Sequence, residues 1–341
     1  MANMLLSRPG ADQGGADSRA LLLKLFTGEV YESFRNALIA KPLVLNRTLQ
    51  NGKEAQFIHT GKMTAGFHTP GEPLLGNGSG VNGAPLQAET TITVDQLLVS
   101  QAFVYQLDEV LAHYDIRGPI ARQIGQSLAE HYDRRIFRVL DRAATQAAPL
   151  SGEPGGFTVS LGANNEYNAQ ALVDGFFEAS ALLDERSAPR DGRVAVLSPR
   201  QYYSLISSVD TNILNRDIGN TQGNMNSGEG LYEIAGIKIY KSNNIPFLGK
   251  YGVGTGPSIE DTDTTNEKND YGNQSVNGHF TNSCGLIFHR DAAACVEAIG
   301  PSVQTSGGDV SIMYQGDLIV GRLSMGAGAV RTAVAGAFRN V

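Results

Sequence analysis

The side chains able to do chemistry are spread thinly along this chain of 341 residues. Its six histidines are His59, His68, His113, His131, His279 and His289. No two of them stand at i and i+4, and no H-E-x-x-H occurs, so each reads as a surface or core residue rather than a metal ligand. The two cysteines, Cys284 and Cys295, form neither a CxxC pair nor a zinc spacing. Free thiols in a reducing compartment are the expectation. Gly78-Ser79-Gly80-Val81-Asn82-Gly83 satisfies G-x-G-x-x-G. That motif cradles phosphate only between a strand and a helix N-terminus, and here Ala84-Pro85 follows inside a turn-rich stretch. The acidic run Glu260 to Glu267 could suggest calcium, but a loop starting at Asp261 needs Gly five positions on and finds Asn266. A solvated loop is the better reading. Asp108 and Glu109 are adjacent, so on a helix they would not face each other as a catalytic pair. There is no G-x-S-x-G elbow and no phosphate-binding G-x-x-x-x-G-K-[ST]. The expectation is therefore no catalytic residue, no cofactor, no metal, and a protein that is not an enzyme.

Composition narrows the classes further. The formal net charge is −7, whereas a protein that grips nucleic acid carries a basic face. The densest basic stretch, Arg134, Arg135, Arg138 and Arg142, is interleaved with Glu130, Asp133 and Asp141 and reads as a solvated helix face. No apolar run is long enough to span a membrane. Met1 to Gly15 lacks a cationic region followed by an apolar core, so no secretory signal is expected. Gly is the outlier: 40 of 341 residues, against a usual ~7%, which implies many turns and loops.

The elements that must position any site follow from periodicity. Residues 1–20 are polar and small and read as an arm. Leu22, Leu25, Phe26, Val30, Phe34 and Leu38 fall on one helical stripe that Pro42 ends. Residues 53–99 read as a long hairpin, with arms from Glu54 to Thr69 and from Glu89 to Val99 and a Gly-rich tip beginning at Pro70-Gly71-Glu72-Pro73. A ribbon of that length has few large apolar side chains, and two strands alone are marginal. It should rest on something, and if it projects, that something is another subunit. Pro119 suits the first turn of a helix over 118–147, in which Ile120, Ile124, Leu128, Tyr132, Ile136, Val139, Leu140 and Ala143 recur at spacings of three and four. Beyond Pro149 to Gly156, strand and helix alternate. Asn165 caps a helix carrying Leu172 and Phe176, Arg193 to Leu197 is a buried strand, and Ser198-Pro199 opens another helix. Ile234 to Tyr240 and Gly285 to His289 read as strands, separated by a polar excursion over 249–280. Two strands are expected within 300–326, and a Gly/Ala-rich tail from Gly326. The class is α+β.

Three stretches carry a family resemblance. The first is Leu23-Lys24-Leu25-Phe26-Thr27-Gly28-Glu29-Val30, followed by Gly52-Lys53-Glu54-Ala55-Gln56-Phe57 and Pro70-Gly71-Glu72. The second runs from Ile92-Thr93-Val94-Asp95 through His113-Tyr114-Asp115-Ile116-Arg117 to Gln123-Ile124-Gly125-Gln126-Ser127-Leu128-Ala129. The third is Gly285-Leu286-Ile287-Phe288-His289-Arg290. With the order of elements, they resemble the major capsid proteins of short-tailed podoviruses of the autographivirus group, cyanophages included, which have the Hong Kong 97 capsid fold. The resemblance implies an N-terminal arm (1–52), an E-loop hairpin (53–99), a peripheral domain with a spine helix (100–160), an axial domain (161–299), and return strands with a C-terminal tail (300–341). It implies hexamers and pentamers of the chain itself, closing an icosahedral shell around double-stranded DNA that is not read by sequence. Portal, scaffolding and decoration proteins would be the other partners, the virion capsid the location, and the host cytoplasm the place of assembly. No local motif marks a Lys–Asn crosslink, and none is expected. The candidates for inter-subunit contact are Phe26, Phe34, Phe57, Phe67, Pro70, Glu72, Pro73 and Leu74. The rival readings are an encapsulin-type cellular compartment, which shares the fold, and a soluble enzyme of unrecognised chemistry.

Overall fold

A computed structural model describes residues 38–62, 67, 70–71, 87–94, 97–111, 117–150, 152–207, 233–247, 282–305 and 313–341. The helix expected over 21–39, the glycine-rich hairpin tip and the acidic stretch Glu260 to Glu267 lie essentially outside them. The first part of the chain forms β1 (Leu45–Thr48), β2 (Glu54–Thr60), β3 (Gln87–Thr93), β4 (Leu98–Tyr105), α1 (Gln106–Leu111) and α2 (Arg117–Ala143). Next come β5 (Phe157–Ser160), α3 (Ala169–Glu185), β6 (Arg193–Leu197), α4 (Pro199–Ser207), β7 (Glu233–Ile234) and β8 (Ile237–Lys241). The chain closes with β9 (Ser283–His289), β10 (Ala293–Thr305), β11 (Gly316–Ala329) and β12 (Ala335–Arg339). It divides into two compact units, one of residues 1–38, 94–132 and 297–325, the other of 39–93, 133–296 and 326–341. Helix α2 and strands β10 and β11 each begin in one unit and end in the other.

In the first unit β4 pairs antiparallel with β11, from Gly316 opposite Tyr105 to Leu323 opposite Leu98. The apolar stripe of α2 lies on this pair: Ile124 and Leu128 pack with Val104 and Ile319, with Leu98, Ala102 and Ile120 around them. Gly321 is what lets helix and strand approach, since a Cβ there would fall on Ile124 Cγ2. The Tyr132 hydroxyl donates to Glu297 Oε1 at 2.7 Å in the buried interior.

The second unit is built on a six-stranded sheet in the order β5-β12-β9-β6-β8-β7. Strand β12 runs parallel to β5 and antiparallel to β9; β6 runs antiparallel to β9 and parallel to β8. Helix α3 covers the sheet with Leu172, Val173, Phe176, Ala179 and Leu183, and the Phe176 ring meets Phe338 of β12 edge-on at 5.2 Å. Asn168, not Asn165, caps α3, its side chain accepting from Gln170 N. The cap of α4 is reciprocal: Gln201 N donates to Ser198 Oγ, and Ser198 N donates back to Gln201 Oε1 at 3.1 Å.

Several elements differ from the sequence reading. The return arm of the hairpin ends at Thr93; Leu98 to Tyr105 is a separate strand in another sheet. The apolar run through both looks continuous in sequence, and only the change of pairing partner divides it. Ile234 to Tyr240 is not one strand but the hairpin β7–β8, reversed at Ala235 and Gly236, both at positive φ (51° and 79°). The tail from Gly326 completes β11 and supplies β12, buried at every position. Small residues serve close packing there: a Cβ on Gly336 would fall on the Phe157 ring. Helix α2 ends at Ala143 rather than 147. Finally, the mixed-charge stretch of α2 is not a solvated face. Asp133, Asp141 and Arg138 are buried. Asp141 accepts from Ser283 Oγ at 2.8 Å and from Arg339 Nη2 at 3.1 Å, tying α2 to β9 and β12, and a buried carboxylate is tolerable only when its oxygens are satisfied in this way.

Candidate functional site

The hairpin is the element whose packing is least like that of a closed core. Strands β2 and β3 pair antiparallel from Glu54 opposite Thr93 to Thr60 opposite Gln87. Alternation puts Ala55, Phe57 and His59 on one face with Ile92, Thr90 and Ala88, and Glu54, Gln56, Ile58 and Thr60 on the other. The first face is covered by the hairpin's own subunit. Ala55 and Ile92 are buried, Ile92 lies so close to Gly328 that a Cβ there would be 2.9 Å from Ile92 Cγ1, and His59 Nε2 lies 2.9 Å from Glu153 Oε2. Lys62 Nζ, just past the strand, donates to Ser187 Oγ at 2.6 Å. The second face is open, with Ile58 71% exposed. A ribbon resting wholly on a neighbour is therefore not what is found: its base stands on its own chain, and one apolar-bearing face is left uncovered.

The contact candidates divide accordingly. Phe57 is half-buried on the inner face of β2, while Phe67 and Pro70 are exposed beyond its end. Phe26, Phe34, Glu72, Pro73 and Leu74 lie outside the described residues.

A second anchor holds residues 39 and 40, within the stretch expected to be an N-terminal arm. Asp133 of α2 accepts from the backbone N–H groups of Ile39 and Ala40, each at 3.0 Å, one on each carboxylate oxygen. Burial pushes the Asp133 carboxyl above its ordinary value, while these two donors pull the other way. The pinned point lies at the end of the stripe that runs from Leu22 to Leu38. Sequence reasoning missed it by placing Asp133 among solvated charges. The available signal was Phe137, which with Asp133 and Asp141 makes a row at i, i+4 and i+8 beside the main apolar stripe; Phe137 is completely buried.

The described surface offers little to reaction chemistry. A groove of about 540 Å³ beside the hairpin base is lined by Lys62, Leu150, Glu153, Arg186 and Arg331 among others, and three of its charged groups, Lys62, Glu153 and Arg186, are engaged with the chain's own residues. Arg186 donates to Ala333 O at 3.0 Å and stacks over the Phe157 ring at 4.8 Å. Cys284 and Cys295 are free and buried, and burial, with the Glu166 charge, pushes the Cys284 thiol up to about 12, so the reactive thiolate is suppressed. Among the described residues no group of three or more His, Cys, Asp or Glu is placed to hold a metal ion, and no helix is long and apolar enough to cross a membrane.

A ribbon with one face left open, a spine helix, and a six-stranded sheet closed by the chain's last strand define a shell protein of the Hong Kong 97 capsid fold. Its likeness to solved phage capsids agrees. The capsid of cyanophage P-SCSP1u superposes with a TM-score of 0.73 and 30% identity, covering 99% of both chains. The mature capsid of bacteriophage PhiM1, at 17% identity and a TM-score of 0.67 over 98% of this chain and 96% of that one, shares the fold. The major capsid protein of Escherichia phage T7 is 25% identical over 349 aligned residues, covering 96% of this chain and 95% of that one. The family model "Gp10A-like: Major capsid protein" matches residues 56–339, and the chain belongs to that family. It is a structural protein of a phage virion capsid, and with that both the encapsulin and the enzyme readings fall away.

Proposed function

We propose that this major capsid protein assembles as hexamers and pentamers into an icosahedral shell enclosing double-stranded DNA. The hairpin over 53–99 lies across an adjacent subunit, and the arm over 1–45, held at residues 39 and 40 by its own Asp133, reaches along another. The single observation carrying this reading is the two-faced ribbon, whose inner face is held by Glu153 and Ser187 while Ile58 stands open on the other. A second strand pair or apolar surface brought by a neighbour would complete it, at a modest gain per contact repeated over every copy. Phe67 and Pro70 on the described part, with Phe26, Phe34, Glu72, Pro73 and Leu74 beyond it, are the residues assigned to these contacts, and Phe57 supports the ribbon from beneath. In this reading 100–160 and the return strands from 300 act as a peripheral domain and 161–299 as an axial domain. A portal occupies one vertex, a scaffolding protein guides assembly in the host cytoplasm, and a decoration protein binds the finished shell. The net charge of −7 suits a container that encloses DNA without gripping it. The test is electron microscopy of particles formed by the full chain, with and without its scaffolding protein, beside a variant whose tip residues 64–86 are replaced by a short turn. Closed shells from the full chain and none from a folded short-tip variant are expected. Closed shells of normal size from the short-tip variant would overturn the role given to the hairpin.

A further inference from the structure

Helix α1 has its polarity reversed. Leu107, Val110 and Leu111 share one face of the helix at i, i+3 and i+4, and all three are exposed, Val110 at 81%. Asp108, between them, is completely buried. A short helix in water is expected to hide its leucines and show its carboxylate. The reversal makes physical sense when something outside this chain covers the apolar face.

Further exposed apolar side chains stand beside the helix start. Gln106 N donates to Gln315 O at 3.0 Å, which sets the segment before β11 against the start of α1. Met313 and Tyr314 in that segment are exposed at 75% and 54%. The segment is also fixed. The Tyr314 ring meets Phe103 edge-on at 6.2 Å, Gln315 takes a positive φ of 51°, and Gly316 comes so close to β4 that a Cβ would be 2.5 Å from Val104 O. All of these residues belong to one compact unit. Taking roughly 150–200 Å² per large side chain, the five exposed apolar groups present on the order of 500 Å². That is at the upper end of what a lone soluble protein leaves uncovered and more than half of the ~800 Å² that one partner buries in a stable interface.

We infer that the face formed by Leu107, Val110, Leu111, Met313 and Tyr314 is a contact surface for a second copy of this chain. This deepens the shell reading and rests on it. Neither α1 nor Met313 to Gln315 contains a Lys or Arg, so the face has no means of holding nucleic acid. In a shell the partner met at every position is another copy, and an apolar patch of this size, too small to hold a dimer alone, suits a contact repeated around a closed assembly. The surface differs from the hairpin and the arm, which carry the other contacts.

The test uses the full chain with Val110→Cys, probed by N-ethylmaleimide in soluble subunits and in particles separated from the same culture. The native thiols, both buried, give a low background. Fast labelling in soluble subunits and labelling about tenfold or more slower in particles is expected, because the centre of an interface excludes solvent. Equal, fast labelling in both would overturn the inference while leaving the shell reading intact. Slow labelling in both would show the face covered within its own chain and also overturn it. Val110→Asp provides the second arm: soluble subunits with an unchanged thermal midpoint and loss of particles are expected, and wild-type particle yield would overturn the contact. Should the unaltered chain form no particles under any condition, the shell reading fails and takes this inference with it.

Discussion

Two strands of equal length in this protein have opposite surroundings. Strand β9, Ser283–His289, is buried at all seven positions; strand β2, Glu54–Thr60, is buried at one of its seven. Strand β9 lies between β12 and β6, with antiparallel partners on both edges, and reads as a nearly unbroken apolar run around a glycine. Strand β2 has one partner and an alternating pattern, with its second face in solvent. In the proposed shell, the difference separates what a subunit must settle alone from what it can leave to assembly. The sheet around β9 has to fold before any neighbour arrives, so it is complete within one chain. The ribbon around β2 needs only enough internal support to stay aimed, and Ala55, Ile92, His59–Glu153 and Lys62–Ser187 supply that.

The sharpest way to break this comparison is to damage the completed side. Phe338 is fully buried in β12 and meets the Phe176 ring. Phe338→Ala removes an aromatic ring from a site where Gly175 and Gly285 already lie against it, so the cavity has little means of collapsing. A loss of about 3–5 kcal/mol is expected, enough to leave much of the protein unfolded or insoluble before assembly begins. Urea unfolding of the soluble fraction would read it. A loss below about 1 kcal/mol would mean that this region is not an independent core.

Asp133 stands between the two regimes, since it pins Ile39 and Ala40 to α2. Its carboxyl is raised in the folded state by burial, so between its ordinary value and its folded value the folded chain holds the proton that the unfolded chain has released. Its contribution is therefore most favourable at acid pH, declines as pH rises through the folded value, and is level above it. Asp133→Asn abolishes that decline. It also removes one of the two carboxyl oxygens facing Ile39 N–H and Ala40 N–H, a cost of about 1–2 kcal/mol that is largest at acid pH, where the unaltered chain gains most from Asp133. Urea midpoints followed from pH 4 to pH 8 test both parts, and a decline that persists in the variant would assign it to another group.

How much of this was legible in the sequence follows the same division. The stripe of α2, strand β6 and the Ser198-Pro199 start of α4 were readable, because each is a local pattern whose burial is set by its own periodicity. The base of the hairpin was readable from the alternation in Thr91 to Val94. Strand β12 was not, because Ala335-Gly336-Ala337 carries no apolar bulk; its value lies in fitting under Phe157 and Phe176, which are distant in sequence. The break between β3 and β4 and the reversal at Ala235-Gly236 were hidden because adjacent strands of similar composition merge when read in one dimension. The acidic residues of α2 were misplaced for a related reason: interleaved charges look the same whether they face water or reach Arg339, Ser283 and the Ile39 backbone. Among the contact candidates, the sequence put Phe57 and Phe67 forward alike but did not show that Phe57 is half-buried on the inner face of the ribbon while Phe67 is fully exposed. Nor did anything local mark α1 as reversed, since a six-residue helix has too few turns to show which face is inward.

The smallest effect on the subunit is expected at Phe67, and it separates the two kinds of region most cleanly. Phe67 is fully exposed, so in the isolated chain its ring has no packing to lose. Phe67→Ser should leave the thermal midpoint of soluble subunits unchanged to within about 1 °C, the usual outcome for a substitution that touches neither core nor cap. If a neighbouring subunit covers the ring in the shell, the same change should lower particle yield and the temperature at which shells come apart, with both effects absent from the soluble pool. A thermal midpoint that falls in the isolated subunit would place Phe67 with the self-completed core. Shells that form and survive like those of the unaltered chain would remove it from the contact surface, leaving the open face of the ribbon to Ile58 and its neighbours.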